Sequence, residues 1–354
     1  MSVGEYAPET VLSNLELEKM VDTSDEWIVE RTGIRERRVA QNGEFQSDLA
    51  LRASREALAR VGWSPRDLDY IVVATVTPDH IFPCSANALG AKLGAIGVPS
   101  YDVLAACSGF LYALHQASTA IEAGRIRRAL VVGSEVMSSI IDWEDRNTCV
   151  LFGDAAGAVL LEAVDERYGI VDMIIGSDGR HHELLYMPAG GSACPASHET
   201  VEKRQHYVHM EGREVFKLAV RKMGEVGEEL LRRNHVRPSR LGCFIAHQAN
   251  ARIVDATAKR LGLKPEQVYS NIDRYGNTTA ATIPTCIYEA EALGRIKRGD
   301  WVLLVSFGAG LTWAGALLRW AVKPLPKLEP KVVAGTVSDS YSEKLKPGRN
   351  WPRR

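Results

Sequence analysis

Several things are scarce or missing in this 354-residue chain. Its net charge is −1, so there is no overall electrostatic footprint for nucleic acid or an anionic membrane. No apolar run approaches the ~20 residues of a membrane span. The N-terminus, "MSVGEYAPETVLSN", lacks the basic start and continuous apolar core of a signal peptide. Six cysteines are scattered at 84, 107, 149, 194, 243 and 286 without a CxxC pair, which excludes a disulfide framework and a zinc knuckle. GxxxxGK[ST], GxGxxG and GxSxG are absent, which removes the commonest nucleotide and serine-hydrolase signals. The expectation is a cytoplasmic protein with reduced thiols.

What is present is alternation. Strand-like runs at 70–76, 128–136, 155–164, 169–179, 241–247 and 301–307 are separated by helical spacing, which predicts an α/β fold with a largely buried sheet. The chain also repeats itself. "DLDYIVVAT" resembles "SRLGCFIAH", "RALVVGSE" resembles "WVLLVSFG", and both pairs lie 173 residues apart. One offset serving two strand pairs indicates a duplicated unit, with an N-terminal half over 1–165 and a C-terminal half over 166–320. Residues 321–354 carry five prolines and little apolar periodicity, and are expected to form an extended or mobile tail.

Three residues stand out. Cys107, in "DVLAACSGFLYAL", follows a strand and is expected at the first turn of a helix, where unpaired N–H groups and the macrodipole favour thiolate. A small core hydrophobe is the plainer alternative for that cysteine. His247, in "IAHQAN", lies at a strand's C-terminal end, where α/β sheets place ligands and catalysis. Asn277, in "DRYGNTTAATIP", precedes a small-residue helix, and the 173-residue offset carries Cys107 to position 280 beside it. Taken singly, such a His is usually structural and such an Asn usually caps a turn; together the three fall on corresponding edges of the repeated unit.

With "VDTSDEWIVERTGIRERR", "AACSGF", "AHQAN", "DRYGNTTAATIP" and "SFGAGLTWAGALL", in this order from Tyr6 to Trp320, the chain resembles the β-ketoacyl-acyl-carrier-protein synthase III family. The resemblance implies a thiolase-like duplicated αβαβα fold in five layers and a homodimer. It implies decarboxylative Claisen condensation of acyl-CoA with malonyl-acyl-carrier protein, with no cofactor and no metal. Cys107 would carry the acyl group as a thioester. A neutral His247 and the Asn277 amide would donate hydrogen bonds to the enolate oxygen. The backbone N–H groups of Cys107 and Ala309 would form a second oxyanion hole, walled by Phe307. Trp27, Arg31 and Arg146 would hold the adenine end of CoA, although "ERTGIRERR" alone reads as a solvated turn. Arg252 and Lys217 would meet the acidic carrier protein, where a solvated face is the alternative. Phe82 would reach into the partner subunit's acyl pocket and shorten it for acetyl or a similarly small primer.

Related condensing enzymes of polyketide biosynthesis share the Cys-His-Asn trio, as do papain-like hydrolases, in which His is a base and Asn orients it. Only four residues precede "EYAPE", so the first strand is expected to be short or missing and the natural start to lie upstream of Met1. The histidines at 181, 182, 198, 206 and 209, near Cys194, lack paired-ligand spacing and read as polar loop, with "HYVHM" as a strand.

Overall fold

The computed structural model describes residues 2–41, 43–163 and 167–321. The expected tail therefore lies outside the described residues except for Ala321, and so does the expected boundary between the halves at 165/166.

Alternating apolar runs build two large sheets. The first contains β1 (Ser2–Tyr6), β2 (Tyr70–Ala74), β3 (Ser100–Val103), β4 (Arg128–Glu135) and β5 (Ala155–Glu162), in the order β1-β5-β4-β2-β3. The second contains β6 (Gly169–Ser177), β7 (Leu241–Ala246), β8 (Trp301–Gly308) and β9 (Thr312–Arg319), in the order β7-β8-β9-β6. The first strand is a correction to the sequence reading. Ser2–Tyr6 is a full five-residue strand, antiparallel to β5 at the edge of the sheet, and its Val3 is buried.

The 173-residue offset holds residue by residue. Ile71, Val72 and Val73 of β2 pair with Leu130, Val131 and Val132 of β4 in parallel. Phe244, Ile245 and Ala246 of β7 pair with Leu303, Leu304 and Val305 of β8 in the same sense. Each sheet then turns back through an antiparallel strand, β5 or β9.

Helices form five layers with these sheets. α1 (Gln46–Val61) and α2 (Ser85–Leu93) cover the outer face of the first sheet, and α4 (Gly212–Arg233) covers that of the second, with α5 (Ala251–Arg260) packed on it. Between the sheets lie α3 (Gly109–Glu122) and α6 (Thr282–Ala292), which touch both. A helix in that middle layer must be apolar nearly all round. Phe110, Leu111, Ala113, Leu114 and Ala117 of α3 and Ile283, Cys286, Ile287 and Ala290 of α6 supply this, packing in one cluster with residues of both sheets. Burying the larger of these, Phe110, Leu111, Leu114, Ile283 and Ile287, stabilises the fold by roughly 1.5–3 kcal/mol each. The middle helices also begin at matching positions, 109 and 282, which are again 173 apart.

Candidate active site

Each middle helix is entered through the same tight turn. Ala106–Ser108 and Thr279–Ala281 form single 3-10 turns, and their first residues share a left-handed backbone, with φ 47° at Ala106 and 46° at Thr279. Non-glycine residues adopt this region at a cost of about 1–3 kcal/mol, and such strain concentrates at functional sites. The turns touch one another where the two halves meet. Cys107 sits in the first. Contrary to the expectation from sequence, the thiol precedes the helix proper instead of occupying its first turn.

The electrostatics are corrected as well. Cys107 is 7% exposed, and burial, reinforced by the charge of Glu135, pushes its thiol up to about 12. Desolvation therefore outweighs the helix end, and the resting group is a thiol. Glu135 is buried at the end of β4 and accepts hydrogen bonds from Thr75 Oγ1 (3.1 Å), Thr77 Oγ1 (2.7 Å), Val76 N (3.0 Å) and Thr77 N (3.2 Å). Alkylation of Cys107 by iodoacetamide should thus rise about tenfold per pH unit through pH 10. A plateau near pH 7, in peptide maps blanked against Cys107→Ala, would mean a thiolate at rest.

His247 follows the last residue of β7, and its N–H donates to Val305 O at 2.8 Å, which holds the backbone against β8. The ring is 2% exposed, and burial lowers its pKa to about 3, so the imidazole is neutral. Its Nδ1 lies 2.8 Å from Thr282 Oγ1. Asn277 is fixed by its backbone, donating to Leu151 O at 2.8 Å and accepting from Gly153 N at 3.1 Å. Its Oδ1 accepts from Thr279 N at 2.9 Å, so the amide NH2 is the end left for a ligand.

Cys107, His247 and Asn277 all line one cavity of about 1330 Å³, together with Phe307 and Gly308. Gly308 is needed at the close approach of β8 to the cysteine turn. A Cβ there would stand 2.7 Å from Cys107 N and 3.1 Å from Ser108 N. Ala309 follows it and is not among the lining residues.

Trp27 and Arg31 line the same cavity. They belong to the helix Asp25–Thr32, which is capped by Ser24 Oγ on Trp27 N and closed by Gly33 at φ 78°. Asn250, of the "AHQAN" stretch, donates to Arg31 O at 2.9 Å and ties that helix to the start of α5. The guanidinium carbons of Arg31 and Arg146 lie 5.2 and 5.0 Å from the Trp27 ring, and Arg146 also donates to Asp22 O at 2.8 Å. Lys217 and Arg252 line the cavity too, Lys217 paired with Glu214 at 2.7 Å and Arg252 over Phe216 at 5.6 Å. Phe82 stands apart, 84% exposed and outside that lining.

One wall was missed in the sequence. The segment read as polar loop supplies Tyr186, Arg204, Tyr207 and Met210 to the cavity. It is pinned by a two-pronged ion pair between Arg204 and Asp142 and by Val208 N donating to Ile140 O at 3.0 Å. Only His209–Met210 of "HYVHM" is strand, while His206 bonds Thr200 Oγ1 at 2.9 Å. The interleaved Tyr207, Val208 and Met210 were the available signal.

Comparisons with known proteins identify the family. Residues 101–179 match the 3-oxoacyl-[acyl-carrier-protein] synthase III family, and residues 231–320 match its C-terminal domain. The β-ketoacyl-[acyl-carrier-protein] synthase III of Caldanaerobacter subterraneus is 51% identical over 321 residues, covering 91% of this chain and 97% of its own. The crystal structure of 3-oxoacyl-[acyl-carrier-protein] synthase III from Aquifex aeolicus superimposes with a TM-score of 0.84 at 45% identity, covering 90% of this chain and 98% of its own. The priming β-ketosynthase of the R1128 polyketide pathway also gives 0.84, at 35% identity, covering 91% and 96%. By motif order, by sequence identity across nine-tenths of its length and by its thiolase-like fold, the chain belongs to the β-ketoacyl-acyl-carrier-protein synthase III family.

Proposed function

We propose that this protein condenses a short acyl-CoA, acetyl-CoA by the size of Phe82, with malonyl-acyl-carrier protein to give a 3-oxoacyl-acyl-carrier protein. The observation that carries the reading is the convergence of Cys107, His247 and Asn277 on one cavity. The Cys107 sulfur attacks the acyl-CoA carbonyl and CoA leaves with the thiol proton. The N–H groups of Cys107 and Ala309 take the charge on oxygen. Malonyl-carrier protein then loses CO2, and its enolate carbon attacks the Cys107 thioester. The NH2 of Asn277 and an N–H of His247 hold the enolate oxygen during that step. Cys107 leaves as thiolate and takes a proton from solvent. None of these steps calls for a metal or a resident cofactor.

Trp27 and Arg31, with Arg146, are assigned to the adenine end of CoA because an indole and guanidinium planes both stack on a base and Arg pairs with phosphate. Lys217 and Arg252, near the mouth, are assigned to the carrier protein. A homodimer is part of the proposal, supported by Ile81, Phe82 and Leu104, apolar side chains 85%, 84% and 79% exposed. Leu104 directly follows the edge strand β3, and Phe82 is assigned to close the partner's acyl pocket. Among the described residues no helix is long and apolar enough to cross a membrane, and a cytoplasmic location is proposed. The two halves, 1–165 and 166–320, work as one catalytic unit because the trio draws on both.

A polyketide-priming role is the second reading, since the structural similarity to the R1128 enzyme is equally close. A thioester hydrolase is disfavoured because its histidine would have to act as a base, and burial holds His247 near 3.

Mass spectrometry after incubation with a panel of acyl-CoAs tests the proposal. An acetyl adduct on Cys107, absent in Cys107→Ala, is expected, followed by condensation with malonyl-carrier protein. Adducts only from longer or branched donors would overturn the reading of Phe82. No adduct from any donor would sink the condensing activity.

A further inference from the structure

His247 and Thr282 have counterparts in the first half, and the comparison exposes a role for Thr282. Moving 173 residues back, they become Ala74 and Gly109. That pair is also in contact: a Cβ built on Gly109 would stand 3.1 Å from the Ala74 Cβ. The duplicated frame thus sets the same two positions against each other twice. Beside the cysteine turn both are minimal. Beside the Asn277 turn they are an imidazole and a hydroxyl.

The hydroxyl has one proton and two acceptors in reach. Thr282 Oγ1 lies 2.9 Å from Thr279 O and 2.8 Å from His247 Nδ1, and all three residues are buried. If the proton goes to Thr279 O, Nδ1 must carry hydrogen and donate to Thr282, and the neutral ring then presents a lone pair at Nε2. If the proton goes to Nδ1, Nε2 carries the hydrogen. Thr279 O does not depend on the hydroxyl, because it already accepts the Thr282 backbone N–H. Turning the hydroxyl toward the ring therefore leaves no buried carbonyl unpaired.

We propose that Thr282 is a positioning residue that donates its hydroxyl hydrogen to Nδ1 and so fixes His247 as the Nε2–H tautomer. This rests on the condensing function proposed above, where an Nε2 lone pair would repel the enolate oxygen. A neutral ring with the hydrogen on the wrong nitrogen is as poorly placed as a missing donor.

Nitrogen-15 NMR of histidine-labelled wild-type protein reads the tautomer directly and without substrate. Nδ1 is expected in the unprotonated range and Nε2 in the protonated range. In Thr282→Val that pattern should become a mixture of tautomers. Condensation should slow roughly 100-fold while Cys107 acylation stays within about threefold, and Thr282→Ser should restore both the spectrum and the rate. A wild-type spectrum with hydrogen on Nδ1 would overturn the assignment, and so would a valine variant with unchanged spectrum and condensation rate. If Thr282→Val fails to fold, the wild-type spectrum still decides. If instead the proposed function is wrong, wild-type protein will show no condensation at all while the spectrum still reports which nitrogen is protonated.

Discussion

Alanine at His247 or Asn277 is expected to slow condensation by roughly 100- to 1000-fold while Cys107 still takes an acyl group from acyl-CoA. The asymmetry follows from where charge develops. In acyl transfer the negative charge gathers on a carbonyl oxygen, whose proposed donors include the Cys107 N–H, which neither substitution touches. In condensation it gathers on the enolate oxygen, whose proposed donors are the Asn277 amide and the imidazole. The imidazole is held neutral by burial, so its contribution is a hydrogen bond and not a charge, and the condensation rate should be flat in His247 titration from pH 5 to 9. Asn277→Asp should be worse than Asn277→Ala. Thr279 N already binds the Oδ1 position, so the new oxygen would stand where the NH2 does and repel the enolate. The check is a pair of assays on each variant, acyl adduct by mass spectrometry and 3-oxoacyl product formation. Equal losses in both would remove the division of labour between the two donor sets.

Gly308→Ala is expected to do the reverse, costing acylation roughly 100-fold or more. The new Cβ would lie 2.7 Å from Cys107 N, 3.1 Å from Ser108 N and 3.2 Å from the Cys107 Cβ, so the strained turn must move. Shifts of about 1 Å at a reacting group cost on the order of 100-fold, and overpacking of this kind costs about 1–3 kcal/mol of stability. Gly133→Ala offers the matched comparison, because its Cβ would stand 2.2 Å from Ala280 O in the other turn. That push falls between Asn277 and Thr282, so condensation should suffer first. Thermal unfolding and the two half-reaction assays separate the cases. A Gly308→Ala protein that acylates at the wild-type rate would show that the turn has slack.

Much of the frame was legible in the sequence because buried strands leave uninterrupted apolar runs. The offset read from Leu68 to Leu241 reappears in the pairing of Ile71 with Leu130 and Phe244 with Leu303. Cys107 and His247 stood out as chemistry-bearing residues after strands, and Asn277 as one ahead of a small-residue helix. Other features depended on three dimensions. Glu135 looked like the end of a strand, and nothing local says that its carboxylate is buried near a cysteine 28 positions earlier. The thiol was misjudged for the same reason: a helix terminus is visible in sequence, whereas desolvation is set by everything that closes over it. The 181–213 wall was missed because its cohesion comes from Arg204 reaching Asp142, 62 residues away.

The protonated state of Cys107 also bears on chemical durability. With burial pushing the thiol up to about 12, thiolate is a very minor species at pH 7. The thiolate is what attacks peroxide, displacing hydroxide, so its scarcity slows the first oxidation to sulfenic acid. The burial that keeps Cys107 protonated therefore also slows its loss to oxidants while the site is empty.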